Sequence, residues 1–314
     1  MNMIRNLYII GNGFDCHHDI CSSFYDYLKW LKANTKNVYD EILEYYPEAD
    51  NDKWWWNFEN QLGEINLIPL IDQVSLENQP DEDDYIRDHY IDNEAGAKDI
   101  EIYLGQLISD IKDTFCSWIA SLPEANKAKK IILDNTDSFF MTFNYTMTLE
   151  NIYRIPSIDV WHIHGSLSSK EFEIGHGKSD EDICNDATPP IPPYNPDKDD
   201  PSAYGLDCIE DEITKKTRMC AVDQVKRIRK DVLGIIQGNQ DKFLSFSNVE
   251  HLYIYGLSFS KVDLPYITEV LNVIQKDAFI SISYYNDSDK SRINEFMKNQ
   301  NRKYNLVTLS ELFE

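Results

Sequence analysis

Short apolar runs alternate along the chain with longer amphipathic segments. Six runs are rich in β-branched and aromatic residues, and they are Leu7–Ile10, Ser138–Phe143, Asp159–His164, His251–Tyr255, Ala278–Ser283 and Asn305–Leu309. Continuous apolar strands of this kind are typical of parallel sheets that are buried on both faces. Helical patterns fill most of the intervals between them. The chain is therefore predicted to adopt an α/β fold with a doubly wound, mostly parallel sheet.

The first crossover of this sheet is long and helical. From about Tyr25 to Trp118, apolar residues recur at helical spacing. We therefore expect a single α/β domain over residues 1–314, with a helical insertion at about residues 20–125. The acidic stretch Glu77–Asp99 and the proline-rich stretch Lys178–Asp211 break the pattern. Long irregular segments are usually functional lids or disordered, so we expect a long loop or lid at about residues 178–211.

Charge narrows the choice of partners. The chain has 54 acidic and 30 basic side chains and a formal net charge of -24. A surface of this sign repels phosphate backbones and anionic lipid headgroups, so we expect neither extended nucleic-acid binding nor membrane binding. Backbone N–H groups can still bind a small phosphate-bearing ligand locally. A small-molecule nucleotide therefore remains a candidate partner.

Cysteine spacing and hydropathy indicate the compartment. Six cysteines are scattered without CxxC pairs, which predicts reduced thiols. The N-terminal residues lack the apolar stretch of a signal peptide, and no run reaches the length of a membrane span. We therefore expect a cytoplasmic protein.

A glycine turn follows the first predicted strand. Its residues are Gly11, Asn12, Gly13, Phe14 and Asp15. Glycine lets the backbone turn sharply and approach a ligand closely, so the turn is a candidate for binding a phosphate or nucleotide. The third glycine of GxGxxG is missing. A plain tight turn, with Asp15 as a helix N-cap, is the alternative interpretation.

Asn144 stands where the second predicted strand ends, and a helix is expected to begin near Thr146. An amide can hold a hydroxyl or a water without titrating, which suits positioning better than acid or base work. The alternative is a strand-end asparagine that caps the helix.

Two histidines mark the end of the third predicted strand. Alternation along a strand places His162 and His164 on one face. Two histidines on one face could bind a metal, but the spacing identifies no third ligand, and we predict no metal site. His164 is the better candidate for a catalytic histidine because imidazole titrates near neutral pH, while His162 is expected to be structural.

The fourth predicted strand runs into a second glycine-and-serine turn, which contains Gly256 and Ser258 and precedes Asp263. The alternative is an ordinary turn with Asp263 as a helix cap. A doubly wound sheet brings the carboxyl ends of its strands together, so these turns are expected to form one ligand site.

The motifs together resemble a known family. In chain order they are Leu7–Asp15, Trp56–Glu59, Phe143–Thr146 with Leu149 and Glu150, His162–Gly165 and Tyr255–Ser258. This combination resembles the AbiH family of bacteriophage abortive-infection proteins over nearly the whole chain. More distantly, it is similar to the sirtuin-like domains of antiphage effectors, several of which hydrolyse NAD.

The resemblance implies a Rossmann-like fold and an NAD-hydrolysing effector that needs no cofactor, with NAD as its substrate. Asn144 and His164 match the effectors' catalytic asparagine and histidine, and His164 would serve as a general base. The residues implied in nucleotide binding are Gly11, Asn12, Gly13, Phe14, Asp15, Tyr145, Gly165, Gly256, Ser258 and Asp263. Thr146 stands where the effectors have aspartate, and the cysteines do not form the zinc ribbon of protein-deacylating sirtuins.

Two other functions remain open. One is a metal-dependent nuclease or phosphohydrolase, which the negative charge disfavours. The other is a nucleotide-binding sensor without catalysis, which needs the same pocket as an enzyme. The family resemblance also leaves open a phage-derived trigger and a homo-oligomer.

Overall fold

The computed structural model describes residues 3–79, 93–169, 171–189 and 211–312. The chain divides into two compact units. We call residues 1–35, 112–177 and 230–314 the sheet unit, and residues 36–111 and 178–229 the helical unit. The prediction of a single domain over 1–314 is not tested by this division.

The sheet unit contains a six-stranded sheet in which every neighbouring pair of strands is parallel. Its strands are β1 (Asn6–Ile10), β2 (Ser138–Thr142), β3 (Val160–His162), β6 (His251–Tyr255), β7 (Phe279–Ser283) and β8 (Asn305–Val307). A separate antiparallel pair is formed by β4 (Gly165–Ser166) and β5 (Glu171–Phe172). All six predicted strands are present, and the predicted doubly wound α/β fold with a helical insertion is confirmed.

Strand β1 lies at the centre of the core because its two faces are both covered. Leu7 and Ile9 belong to one hydrophobic cluster, and Tyr8 and Ile10 belong to another. The alternation follows from successive side chains pointing to opposite faces of a strand. An uninterrupted apolar run was therefore the correct indicator of a strand buried on both faces.

An aromatic ladder crosses the strands on one face. Tyr8 is in register with Phe140 of β2 and with Tyr253 of β6. Its ring stacks on both, with centroid separations of 4.8 Å to Phe140 and 4.6 Å to Tyr253. Stacked aromatic pairs stabilise a sheet beyond the area they bury, so this row helps to set the register of β1.

The strand order is β3-β2-β1-β6-β7-β8. From β1 the chain first adds strands on one side and then returns to add the others on the opposite side. The order therefore reverses between β1 and β6, which is the point where doubly wound sheets leave a crevice at the carboxyl ends of the strands.

Helices alternate with the strands along the chain, and the helical unit contains further helices joined by turns and loops. In the sheet unit they are Asn12–His17, Phe24–Asn34, Thr148–Tyr153, Val232–Gly238, Gln240–Leu244, Leu264–Val273 and Asp287–Lys298. In the helical unit they are Lys36–Tyr45, Asp52–Trp55, Phe58–Gln61, Leu67–Glu77, Asp180–Asp186 and Glu212–Arg227. Helix Ala95–Ser121 contains the boundary between the units.

The helical unit has an aromatic centre. Trp55 and Phe58 are fully buried and stack at 5.1 Å. The Trp55 indole N–H donates to the carbonyl of Ala49 over 2.8 Å. Trp56, the next residue, is 76% exposed. Two of the three consecutive tryptophans, Trp54 and Trp55, are thus core residues.

The predicted lid at residues 178–211 is described only in part. Its beginning forms helix Asp180–Asp186, which Ser179 starts with a capping box to Asp182. Residues 190–210 lie outside the described residues, as do residues 80–92 of the acidic stretch.

Candidate functional site

The loops after β1 and β6 pack directly against each other. The Gly11 N–H donates to the Tyr255 carbonyl over 2.9 Å, and the Gly13 N–H donates to the Gly256 carbonyl over 2.7 Å. Both amides are therefore engaged in joining the two loops. These contacts give the glycine turn a structural role alongside the predicted role in ligand binding.

Close approach of the two backbones explains why glycine stands at Gly11 and Gly256. A Cβ atom on Gly11 would lie 2.6 Å from the Cα of Leu257. Gly256 has a φ of +69°, and a Cβ there would lie 2.1 Å from the backbone nitrogen of Phe14. Neither position has room for a side chain, and the second also needs a left-handed backbone.

A cleft of about 730 Å³ opens beside these loops. It is lined by Asn12, Gly13, Cys16, His17, Lys129, Gly256, Leu257, Ser258, Ser283, Tyr284, Tyr285, Asp289, Thr308, Leu309 and Ser310. Most of these residues follow the carboxyl ends of β1, β6, β7 and β8. The cleft thus lies at the reversal of strand order, where doubly wound sheets bind ligands.

Polar groups at the cleft bond to neighbouring side chains and backbone. The Asn12 amide donates to the Ser22 carbonyl over 2.5 Å, and the Cys16 thiol donates to the Asn12 side-chain oxygen over 3.1 Å. Lys129 forms an ion pair of 2.5 Å with Asp19. The first helix therefore presents ordered polar groups, and Lys129 adds a positive charge at the cleft.

Asp15 is the centre of a second cluster. Its side chain is 1% exposed and accepts hydrogen bonds from the hydroxyls of Thr146 (2.6 Å) and Thr148 (2.8 Å). Burial raises the pKa of Asp15 to about 6, while hydrogen bonds from Thr146, Thr148 and the Asn144 side chain act in the opposite direction. A buried carboxylate with a raised pKa is more frequent at functional sites than elsewhere.

The structure does not support the capping interpretations of Asp15 and Asn144. Asp15 lies inside helix Asn12–His17, whose N-cap is Gly11. The helix after Asn144 begins at Thr148, close to the predicted start near Thr146, and Met147 is its N-cap. Both side chains contribute to the buried cluster instead.

His162 joins this cluster from β3. Its Nδ1 lies 3.0 Å from the backbone carbonyl of Asn144, and its Nε2 lies 3.0 Å from a carboxylate oxygen of Glu150. A carbonyl can only accept, so Nδ1 donates. The interactions link the end of β3 to the segment after β2.

His164 contacts a different set of residues. Its ring packs edge-on against Phe143 and Tyr266, with centroid distances of 5.1 and 5.5 Å. Its Nδ1 lies 3.4 Å from Nζ of Lys230. β3 ends at His162, so His164 lies beyond the strand, and the two histidines contact different residues.

Burial dominates the electrostatics around His164. Desolvation, aided by the Lys230 ammonium, lowers the pKa of His164 well below its usual value. Lys230 Nζ also lies 3.9 Å from a carboxylate oxygen of Asp263. Burial raises the pKa of Asp263 although Lys230 opposes the shift. Asp263 occupies the N-cap position of helix Leu264–Val273, and its carboxylate accepts from the Ser260 hydroxyl over 3.3 Å.

The family model for bacteriophage abortive infection AbiH matches residues 7–284. The chain belongs to the AbiH family. This membership indicates a function in abortive infection of bacteriophage. Comparison with the curated proteins and with the solved structures finds no match.

The AbiH chain distributes its predicted site residues over three places. Asn12, Gly13, Gly256 and Ser258 line the cleft. Asp15 and Asn144 share the second cluster. Asp263 approaches Lys230, which in turn contacts His164.

The remaining predicted residues have structural contacts. Phe14 is fully buried against the His18 and Tyr153 rings. The Tyr145 hydroxyl donates to the Glu173 carbonyl over 3.0 Å. Gly165 has a φ of +82° and pairs with Phe172 in the small sheet. A role of these residues in nucleotide binding stays a prediction.

Several residues of the AbiH chain were missed by sequence reasoning. Lys230 follows no strand and belongs to no motif, so nothing in the sequence pointed to it. The residues that follow β7 and β8 include Tyr284, Tyr285 and Thr308. Ligands of doubly wound sheets bind beyond the carboxyl ends of the strands, so the ends of these two predicted strands would have indicated all three residues. In the described ranges, no group of three or more His, Cys, Asp or Glu residues is arranged to hold a metal ion. No helix in those ranges has the length and apolar character needed to cross a membrane.

Proposed function

We propose that this AbiH-family protein acts in abortive infection by hydrolysing NAD at the bond between nicotinamide and ribose. The observation that carries the proposal is the cleft where the strand order reverses between β1 and β6. Its volume of about 730 Å³ falls within the range of small-molecule and cofactor sites. Its position is the one that doubly wound sheets use for nucleotides.

The chemistry of the cleft lining suits a nucleotide. Lys129, which pairs with Asp19, is a cation of the lining that a phosphate can approach, Asp289 is a carboxylate of the same lining, and Asn12 and Ser258 supply polar groups. Tyr285, whose side chain is 91% exposed, offers an aromatic surface on which a base can stack. A local site of this kind can bind an anion although the chain as a whole is strongly negative.

The proposed reaction breaks one bond and forms another. The C–N bond between ribose and nicotinamide breaks, and its electron pair leaves with nicotinamide, which departs as a neutral molecule. A water oxygen then bonds to the anomeric carbon of the oxocarbenium-like ribose and loses a proton. The products are nicotinamide, ADP-ribose and a proton.

In this reaction Asn144 would position the water or the ribose, and His164 would polarise a ribose hydroxyl. Asn144 and His164 follow the neighbouring parallel strands β2 and β3, so their backbones lie at the same edge of the sheet. Positioning and acid or base groups of this type each contribute roughly a hundredfold or more to rate.

A second candidate function is a nucleotide sensor without catalysis. It is favoured by a specific observation: among the described residues, the cleft lining includes neither Asn144 nor His164. A sensor needs only the cleft and a conformational response to its ligand.

The test is to incubate the purified protein separately with NAD, ATP and single-stranded nucleic acid, and to follow the products by chromatography. Release of nicotinamide and ADP-ribose supports the proposed enzyme. Saturable NAD binding without products, measured by calorimetry, supports the sensor. Absence of NAD turnover contradicts the enzyme, and absence of saturable binding of both NAD and ATP contradicts the sensor as well.

A matched pair of variants tests whether the cleft is the binding site. Ser258 is exposed and lines the cleft, so Ser258→Trp should fill it and remove nucleotide binding. The control is Ser117→Trp, which makes the same substitution at an exposed position of helix Ala95–Ser121 that does not line the cleft. It should leave nucleotide binding unchanged. If both variants bind nucleotide as the unmodified protein does, the ligand binds elsewhere.

A further inference from the structure

Lys230 and His164 form a buried contact whose direction is set by chemistry. The Lys230 side chain is 1% exposed, and His164 is 2% exposed. Their Nζ and Nδ1 atoms are 3.4 Å apart. An ammonium has donors and no acceptor, so Nδ1 of His164 must accept. A neutral imidazole that accepts at Nδ1 carries its single proton on Nε2.

The position of Lys230 is fixed from several sides. Its backbone N–H donates to the His176 carbonyl over 3.0 Å, and its own carbonyl accepts from Val232 over 2.9 Å. The Asp263 carboxylate, which the Ser260 hydroxyl holds, lies 3.9 Å from Nζ. The backbone of Lys230 is therefore anchored, and its Nζ lies between the Asp263 carboxylate and Nδ1 of His164.

The other ring nitrogen of His164, Nε2, is also buried. Among the described residues, none forms a hydrogen bond with His164 Nε2. A buried donor that lacks a partner has lost its hydrogen bonds to water without replacement, which is unfavourable. Such a group in a folded protein requires an explanation, and a hydrogen bond to a ligand is one.

We propose that Lys230 is a positioning residue that holds His164 in the tautomer with its proton on Nε2, so that His164 offers this N–H as a donor to an oxygen of a nucleotide that reaches beyond the described cleft lining. A ribose hydroxyl or a carboxamide carbonyl has the required acceptor chemistry. This differs from the general-base role that the family resemblance implies for His164, since the nitrogen that could accept a proton is occupied by Lys230. The identity of the nucleotide rests on the proposed NAD hydrolysis, whereas the tautomer does not.

Nuclear magnetic resonance tests the tautomer without any substrate. The protein is labelled with 15N-histidine, and the His164 signals are assigned by their loss in His164→Gln. We expect His164 of the unmodified protein to show an Nε2–H tautomer at neutral pH. A signal from Nδ1–H would overturn the proposal.

Variants then test the part played by Lys230. Among the described residues, Lys230 and the ring of Tyr266 contact His164, and the Asp263 carboxylate lies beyond Lys230. Lys230→Met should free Nδ1 and move the titration midpoint of His164 to higher pH, because a neighbouring cation is lost. Lys29 is 59% exposed, and Lys29→Met is the control that should leave the His164 signals unchanged. An unchanged midpoint in Lys230→Met contradicts the proposal.

Lys230→Met leaves Asp263 buried without its cation and could impair folding. The double variant Lys230→Met/Asp263→Asn removes both charges and is measured in the same way. If NAD is hydrolysed, Lys230→Met should reduce kcat about tenfold or more with little change in KM, as expected for a group that acts in the reacting complex. A positive tautomer result without NAD hydrolysis would retain the role of Lys230 and reject the proposed reaction.

Discussion

Thr146 donates its hydroxyl to the Asp15 carboxylate over 2.6 Å. This bond connects the segment after β2 to the helix after β1, and Thr148 adds a second bond of 2.8 Å to the same carboxylate. The carboxylate is almost fully shielded from water. Asp15 is therefore an ionisable group whose protonation is coupled to the stability of the sheet unit.

Replacing Asp15 should change how stability depends on pH. Burial raises the pKa of Asp15 from 3.8 to about 6, so the folded protein binds this proton more tightly than the unfolded chain. The resulting stabilisation is complete below the unfolded value of 3.8 and is lost as pH rises through about 6. At its full size, below both pKa values, this stabilisation amounts to about 3 kcal/mol. Asp15→Asn should remove this dependence, as measured by urea unfolding between pH 4 and pH 7.

The matched control is Asp113→Asn, which changes an exposed carboxylate of helix Ala95–Ser121. Its pH dependence should follow that of the unmodified protein. Parallel curves for Asp15→Asn and the unmodified protein would show that Asp15 has an ordinary pKa in the folded state.

Removing the Thr146 hydroxyl should destabilise the protein through Asp15. Thr146→Val keeps the shape of the side chain but leaves the buried carboxylate with one donor fewer, which should cost about 1–3 kcal/mol at neutral pH. The cost should be much smaller when Asp15 is already asparagine, because contacting residues are not additive. Urea unfolding of the two single variants and the double variant measures this coupling.

Thr136 is exposed in the segment before β2, and Thr136→Val is the control. Its effect should lie within about 0.5 kcal/mol. Full additivity of Asp15→Asn and Thr146→Val would mean that their hydrogen bond contributes nothing to stability.

Gly256→Ala should destabilise the sheet unit strongly. The added Cβ would lie 2.1 Å from the backbone nitrogen of Phe14, at a φ of +69°. We expect a loss of about 3 kcal/mol or more in the free energy of unfolding. Gly238→Ala is the control, since a Cβ there meets nothing within 4 Å. Equal melting temperatures for these two variants would contradict the observed packing of the loops.

Asn144 and His164 should each be necessary for the proposed NAD hydrolysis. Asn144→Ala and His164→Ala should each reduce turnover by roughly a hundredfold or more. The double variant should be scarcely worse than either single one, because groups that act as a unit are not additive. The measurement is nicotinamide release per folded molecule, with folding followed by circular dichroism.

His162→Ala is the comparison for that series. His162 forms hydrogen bonds with the Asn144 carbonyl and with Glu150. Its loss should therefore lower the melting temperature clearly, while turnover per folded molecule should fall much less than in Asn144→Ala or His164→Ala. Near-normal turnover in both Asn144→Ala and His164→Ala would reject the sirtuin-like mechanism.

Chelators should leave the proposed activity unchanged, because departure of nicotinamide and capture of water need no metal ion. The measurement compares NAD turnover before EDTA treatment, after it, and after zinc, manganese or magnesium is added back. Loss of activity in EDTA that a metal restores would favour a metal-dependent hydrolase instead.

The sequence by itself determined the six strands and their succession along the chain. Apolar content and alternation are local properties, so β1 and β6 were located to within one residue of their ends. The turns at Gly11 and Gly256 could be recognised for the same reason. The predicted third strand continues to His164, whereas β3 ends at His162. No local pattern in the sequence indicates that hydrogen bonding to β2 stops there.

The tertiary structure alone decided which of these residues meet. Asp15 and Thr146 are 131 positions apart, and His164 and Lys230 are 66 positions apart. A local pattern carries no information on a partner at such a distance, because the contact depends on strand order and on how the loops pack. The same reason applies to the cleft, whose lining comes from loops after four strands that only the β3-β2-β1-β6-β7-β8 order brings side by side.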